Sequence, residues 1–120
     1  MKKIYVCDDD PVILMMTKRV LGRNYQVIGC QTQAVLLEEI DNDKPDLILQ
    51  DFLMPEGDGL QAITRLKEKG IFPLTPVVIV SGDLDPTVEE KCREEGIKEF
   101  IHKPFVPNIL LASVVRILEN

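Results

Sequence analysis

The chain has 120 residues, the length of one ordinary domain, and residues 1–120 are assigned to a single one. At 45% hydrophobic and 28% charged, with 7 Gly and 8 Pro, it falls among soluble globular sequences and outside the disordered and fibrous classes. A net charge of −6 argues against a nucleic-acid surface, which needs clustered Lys and Arg, and equally against docking on anionic lipid.

Strand-like and helix-like segments alternate along the chain. Ile4 to Cys7 is a short apolar run, and Pro11 to Leu21 comes next as a helix with Asp10 as N-cap, Pro11 at its first position and Gly22 at its stop. Ile13, Met16 and Val20 recur there at helical spacing. Tyr25 to Cys30 reads as strand 2. Thr32 then caps a helix carrying Leu36, Leu37 and Ile40, which ends before Lys44-Pro45. Leu47 to Gln50 is strand 3, and Leu60, Ile63 and Leu66 form one face of helix 3, closed by Gly70. Val77 to Val80 is strand 4. Asp85-Pro86 opens a polar helix 4 that stops at Gly96, Ile97 to His102 is strand 5, and Pro107 to Leu118 is helix 5. In helix 5, Ile109, Leu110, Val114 and Ile117 suit a core face, which Leu111, Val115 and Leu118 widen.

Short strands that are apolar throughout fit a parallel sheet covered on both faces, with right-handed crossovers. The expected fold is α/β, a flavodoxin-like doubly wound (βα)5 with a five-stranded sheet of order 2-1-3-4-5. Ligands of such sheets bind beyond the strands' carboxyl ends, at the switch between strands 1 and 3.

The chemistry sits at the carboxyl ends of the strands. Strand 1 ends in Asp8-Asp9-Asp10, strand 3 in Asp51, strand 4 in Ser81-Gly82-Asp83 and strand 5 in Lys103-Pro104. All of these ends share one edge of a parallel sheet. Clustered carboxylates hold a proton or bind a cation, and hard oxygens without His or Cys suit Mg²⁺. A Lys and a Ser beside such an ion offer a phosphoryl group a positive charge and a donor, and an Asp can itself attack phosphorus. Asp10 is assigned as a helix cap, and His102 is expected to face solvent. Each signal is weak alone; their convergence on one edge is strong.

The sequence closely resembles a receiver domain of the two-component response regulators over essentially its whole length. The resemblance rests on the acidic pair Asp8-Asp9, on D-x-x-M-P-x-x-D-G (Asp51 to Gly59), on V-V-I-V-S-G-D (Val77 to Asp83) and on H-K-P-F (His102 to Phe105). It implies that Asp51 is the phosphoacceptor, that Asp9, Asp51 and the Leu53 backbone carbonyl bind Mg²⁺ (with Mn²⁺ as a substitute), and that Asp8 acts through a metal-bound water. It further implies that Lys103 contacts the phosphoryl oxygens, that the Lys103–Pro104 peptide is cis, and that Ser81 and Phe100 form the switch. Phe100 stands where Tyr is common, so the switch is expected to rest on packing. Val106 stands where an acidic N-cap is usual.

The implied activity is Mg²⁺-dependent transfer of a phosphoryl group to Asp51 from a phospho-histidine of a sensor histidine kinase or phosphotransfer protein, or from a small acyl phosphate. Output would pass through the helix 4, strand 5 and helix 5 face to a downstream domain or protein, or to a homodimer. Helix 4 offers the core chiefly Val88 and Cys92 and is expected to be mobile. Two rivals are weaker. A phosphohydrolase with an Asp nucleophile wants a second acid where Leu53 stands, and a flavodoxin-like FMN carrier wants a Ser/Thr/Gly loop where Asp8 to Asp10 stand.

Cys7, Cys30 and Cys92 cannot form a closed set of disulfides and match no CxxC metal pair, so they read as buried hydrophobes in a reducing compartment. MKKIYVCDDD reaches acid too soon for a signal-peptide core, and no apolar run approaches the ~20 residues of a membrane span. A cytoplasmic location is expected. Two settings stay open: a stand-alone receiver, and the receiver of a longer regulator or hybrid kinase.

Overall fold

The computed structural model describes residues 1–119. Each strand alternates two apolar faces, and each face needs its own cover of helices. The strands are β1 (Lys3–Cys7), β2 (Gln26–Cys30), β3 (Leu47–Asp51), β4 (Val77–Ser81) and β5 (Glu99–His102), all parallel, in the spatial order β2-β1-β3-β4-β5. The helices are α1 (Pro11–Leu21), α2 (Gln33–Asn42), α3 (Gly59–Glu68), α4 (Pro86–Glu94) and α5 (Pro107–Glu119). This is the doubly wound 2-1-3-4-5 sheet expected from the alternation of elements. A two-residue hairpin, Leu53–Met54 against Gly57–Asp58, links β3 to α3.

The period of two along the strands divides the core. Tyr5, Cys7, Ile48 and Ile79 face Leu36 and Ile40 of α2, Ile63 and Leu66 of α3 and Cys92 of α4. Ile4, Val6, Leu47, Leu49, Val78 and Val80 face Leu21 of α1 and Leu110, Val114 and Leu118 of α5. Helix starts are set by their caps: Asp10 accepts from the Val12 N–H, Thr32 from Val35, Asp85 from Thr87, and Asp58 forms a capping box with Gln61. The first turn of α5 closes instead on the Val106 carbonyl, which accepts from Ile109 and Leu110.

Some boundaries and faces differ from expectation. Strand β3 runs one residue further and takes in Asp51, because the Phe52 N–H still bonds the Val80 carbonyl at 3.0 Å. Strand β2 begins at Gln26 and β5 at Glu99; Tyr25 and Ile97 are buried but lie in the approaching loops. In α1 the buried positions are Thr17 and Leu21, while Met16 is exposed. Thr17 tolerates burial because its hydroxyl donates to the Ile13 carbonyl at 2.8 Å. In α5 the core stripe is Leu110, Val114 and Leu118, and Ile109, expected inside, is 58% exposed.

Candidate functional site

Register brings the strand ends together. Cys7 pairs with Gln50, Asp51 with Val80 and Ser81 with His102, so the residues at or just past the ends of β1, β3, β4 and β5 emerge along one edge. One carboxylate oxygen from each of Asp8, Asp9 and Asp51 lies within 4.8 Å of the other two. Asp8 and Asp51 are buried, 2% and 7% exposed, whereas Asp9 is open to solvent. The Lys103 Nζ stands 2.6 Å from Asp8 and 3.1 Å from Asp51. Its backbone is anchored just past β5, where the Lys103 N–H donates to the Ser81 carbonyl at 2.7 Å. The Lys103–Pro104 peptide is cis, and so is Phe72–Pro73, which the sequence did not signal.

The charges are unbalanced. Burial pushes the Asp51 carboxyl above its ordinary value and the Asp8 charge pushes the same way; Lys103 and the Leu53 backbone N–H pull it back without cancelling the rise. Burial alone would lower Lys103, but the Asp8 and Asp51 carboxylates outweigh it and hold the ammonium charged. Asp8 takes Lys103 on one oxygen and the Asp10 N–H, at 2.9 Å, on the other. Three carboxylates against one ammonium leave a net negative pocket of hard oxygen donors, which fits a divalent cation such as Mg²⁺.

The other expected residues lie on β4, β5 and the loops after β3 and β4. Ser81 ends β4 beside a cleft of about 30 Å³ that Ile79, Leu84 and Phe100 also line. Phe100 lies half-buried on β5 under the Arg93 guanidinium, 4.7 Å from the ring centroid. Leu53 turns its backbone N–H toward Asp51 and leaves its side chain 70% exposed. Asp83 is exposed in the loop after β4. A roomier groove of about 310 Å³, lined by Phe72, Val77 and Ile117 among others, lies toward the opposite ends of β4 and β5 and includes none of Asp8, Asp9 and Asp51.

Sequence reasoning missed three contacts. His102 is exposed as expected, yet its Nδ1 lies 3.1 Å from the Gly82 carbonyl and ties β5 to the loop after β4. Glu56 accepts the Gln33 N–H at 2.9 Å, joining the loop after β3 to the start of α2. Gln50 is fully buried beside Asp51. Only the last left a trace in the sequence, as the one amide following the aliphatic run Leu47 to Leu49.

The model of the family described as response regulator receiver domain matches residues 4–115. The chain belongs to that family. It is 29% identical over 120 residues to the phosphate regulon transcriptional regulatory protein PhoB of Escherichia coli, covering 99% of this chain and 52% of that protein, so it spans about half the length of such curated relatives. The solved BeF3-activated DrrB receiver domain is 32% identical, with a TM-score of 0.88 over 100% of this chain and 99% of that one. The chemotaxis protein CheY4 of Vibrio cholerae, 24% identical, shares the fold with a TM-score of 0.91 over 98% of this chain and 99% of that one. Receiver domains are phosphorylation-dependent signalling modules, phosphoacceptors rather than conventional enzymes, and they bind Mg²⁺ at an acidic pocket. In this chain Asp8, Asp9 and Asp51 form an acidic group spaced to suit a metal ion. Among the described residues no helix is long and apolar enough to cross a membrane.

Proposed function

We propose that this receiver takes a phosphoryl group on Asp51. The observation that carries the reading is the Asp51 carboxylate itself: it is buried, 3.1 Å from the Lys103 ammonium, and clustered with two further acids at the carboxyl edge of the sheet. Asp9, Asp51 and the Leu53 carbonyl would hold Mg²⁺, with Asp8 acting through a water. When bound, the ion supplies a second positive charge for the phosphoryl oxygens. An Asp51 carboxylate oxygen attacks phosphorus in line, and the bond from phosphorus to the donor's imidazole nitrogen or acyl oxygen breaks as the acyl phosphate of Asp51 forms. Lys103 neutralises charge on the transferring group throughout. Hydrolysis by water reverses the modification, so the same pocket sets its lifetime.

The new group adds ~1.5–2 negative charges and three acceptor oxygens. Ser81 is drawn toward it, the loop after β4 shifts, and Phe100 turns into the cleft that Ser81 borders. This alters the α4, β5 and α5 face, which would bind an output domain, a partner or a second copy. The donor is a kinase or phosphotransfer protein, or a small acyl phosphate, in the cytoplasm.

Incubation with Mg²⁺ and a small acyl phosphate, read by intact mass, should show one phosphoryl addition, and Asp51→Asn should abolish it. Addition that persists in Asp51→Asn sinks the acceptor assignment; none in the wild-type chain sinks the reading.

A further inference from the structure

We infer that Gln50 is a positioning residue for Asp51, an inference that rests on Asp51 being the phosphoacceptor. Gln50 is fully buried, and its Nε2 donates to the Asp51 backbone carbonyl at 3.0 Å. That carbonyl can only accept, so the amide must present its NH₂ there and its oxygen elsewhere. The Gln50 Oε1 has no hydrogen-bond partner among the described residues. A buried polar atom left unpaired costs stability, and Leu47, Ile48 and Leu49 show that aliphatic side chains serve this strand without that cost.

What the amide does is visible in the next peptide. The β1–β3 ladder ends at the Cys7–Gln50 pair, so Asp51 stands one residue beyond it. The peptide unit joining Asp51 to Phe52 is gripped at both poles: its carbonyl by Gln50, and its N–H, at 3.0 Å, by the Val80 carbonyl. Its plane sets where the Asp51 side chain leaves the strand and where the Leu53 N–H meets the carboxylate. Gln50 is backed in turn by Cys7, whose Sγ lies 3.4 Å from the Gln33 Oε1. A polar contact inside the sheet thus holds the nucleophile still, and its stability cost is offset by that alignment.

The test separates alignment from folding. Gln50→Met keeps length and apolar bulk while removing both donor and acceptor, and Gln50→Leu is a second variant of different shape. Both should stay folded at the assay temperature, since each removes the unpaired Oε1 along with the donor to the Asp51 carbonyl. With Mg²⁺ saturating, their maximal rate of phosphoryl uptake from an acyl phosphate should fall about tenfold or more, since small misplacements of reacting atoms carry penalties of that order. The acyl phosphate concentration giving half-maximal rate should not move, and the Leu53 amide resonance should shift. A wild-type rate in both variants overturns the inference. So does a rate loss no greater than the fraction unfolded, which would mark Gln50 as merely structural. Absence of uptake in the wild-type chain sinks the phosphoacceptor reading instead, and is seen in that arm alone.

Discussion

Cys7 and Cys30 are partners across β1 and β2, both fully buried and both free. Burial pushes the Cys30 thiol from 9.0 up to about 12, with the Glu39 charge adding to it, and Cys7 rises further for the same leading reason. A thiol held protonated is a poor nucleophile, so alkylation at mild alkaline pH should label the native chain negligibly and the denatured chain three times. Linkage turns this into a stability effect. The folded pKa lies above the unfolded one, so the stabilising contribution is complete below pH 9 and drains away as pH rises toward about 12. Urea titrations should therefore show the stability gap between wild type and Cys30→Ala narrowing across that interval, by up to ~1.4 kcal/mol per pH unit; a gap independent of pH would contradict it. At this scale legibility depended on whether a residue's place followed from its own strand end. Asp8, Asp9, Asp51 and Lys103 could be placed because residue type and strand-end position were enough. The contacts among Cys7, Gln33 and Gln50, and that of Gln33 with Glu56, could not, since each needs a partner fixed only by register or loop path.

Helix α4 buries Cys92 fully and Val88 in part, and otherwise presents charge. Its second hold on the sheet is Arg93, stacked 4.7 Å from the Phe100 centroid and 3.3 Å from Glu89 one turn back. Both groups of the ion pair are substantially exposed, so the pair itself contributes little. The stack should contribute about 0.5–1 kcal/mol, and Arg93→Ala should lower urea stability by that amount while shifting the Phe100 ring resonances. Arg93→Lys should recover only part of it, because a point charge lacks the planar face. An unchanged Phe100 ring would contradict the stack. The polar character of α4 was legible in its sequence, as were the capped starts of α1, α2 and α4, because caps are local chemistry. The buried stripe of α5 was not. Seven large apolar residues from Ile109 to Leu118 populate more than one face, so periodicity alone admits several stripes, and packing against Val78 and Val80 selects Leu110, Val114 and Leu118.

Across the whole molecule the parallel sheet converts a scattered sequence pattern into a local charge excess. Twenty acids against fourteen Lys and Arg give the chain a net −6, but the consequential imbalance is three carboxylates with one ammonium at a single edge, two of the acids being buried. Folding creates that repulsion, because in the unfolded chain Asp51 is more than forty residues from Asp8 and Asp9. A cation that binds only the folded edge must therefore stabilise the fold, by RT ln(1 + [L]/Kd), or about 2.7 kcal/mol at one hundred times Kd. For a domain of this size that is on the order of ten degrees in Tm. Thermal scans in MgCl₂ against NaCl of equal ionic strength should show this rise in the wild-type chain, saturating with Mg²⁺. Asp9→Asn and Asp51→Asn should flatten it, and each should melt higher than wild type without Mg²⁺, since each removes one of the repelling charges. Asp41→Asn, on the surface beside Lys69, should keep the full response. A rise that tracks ionic strength alone, or one that survives both edge substitutions, would mean the three carboxylates are not the site through which the ion acts.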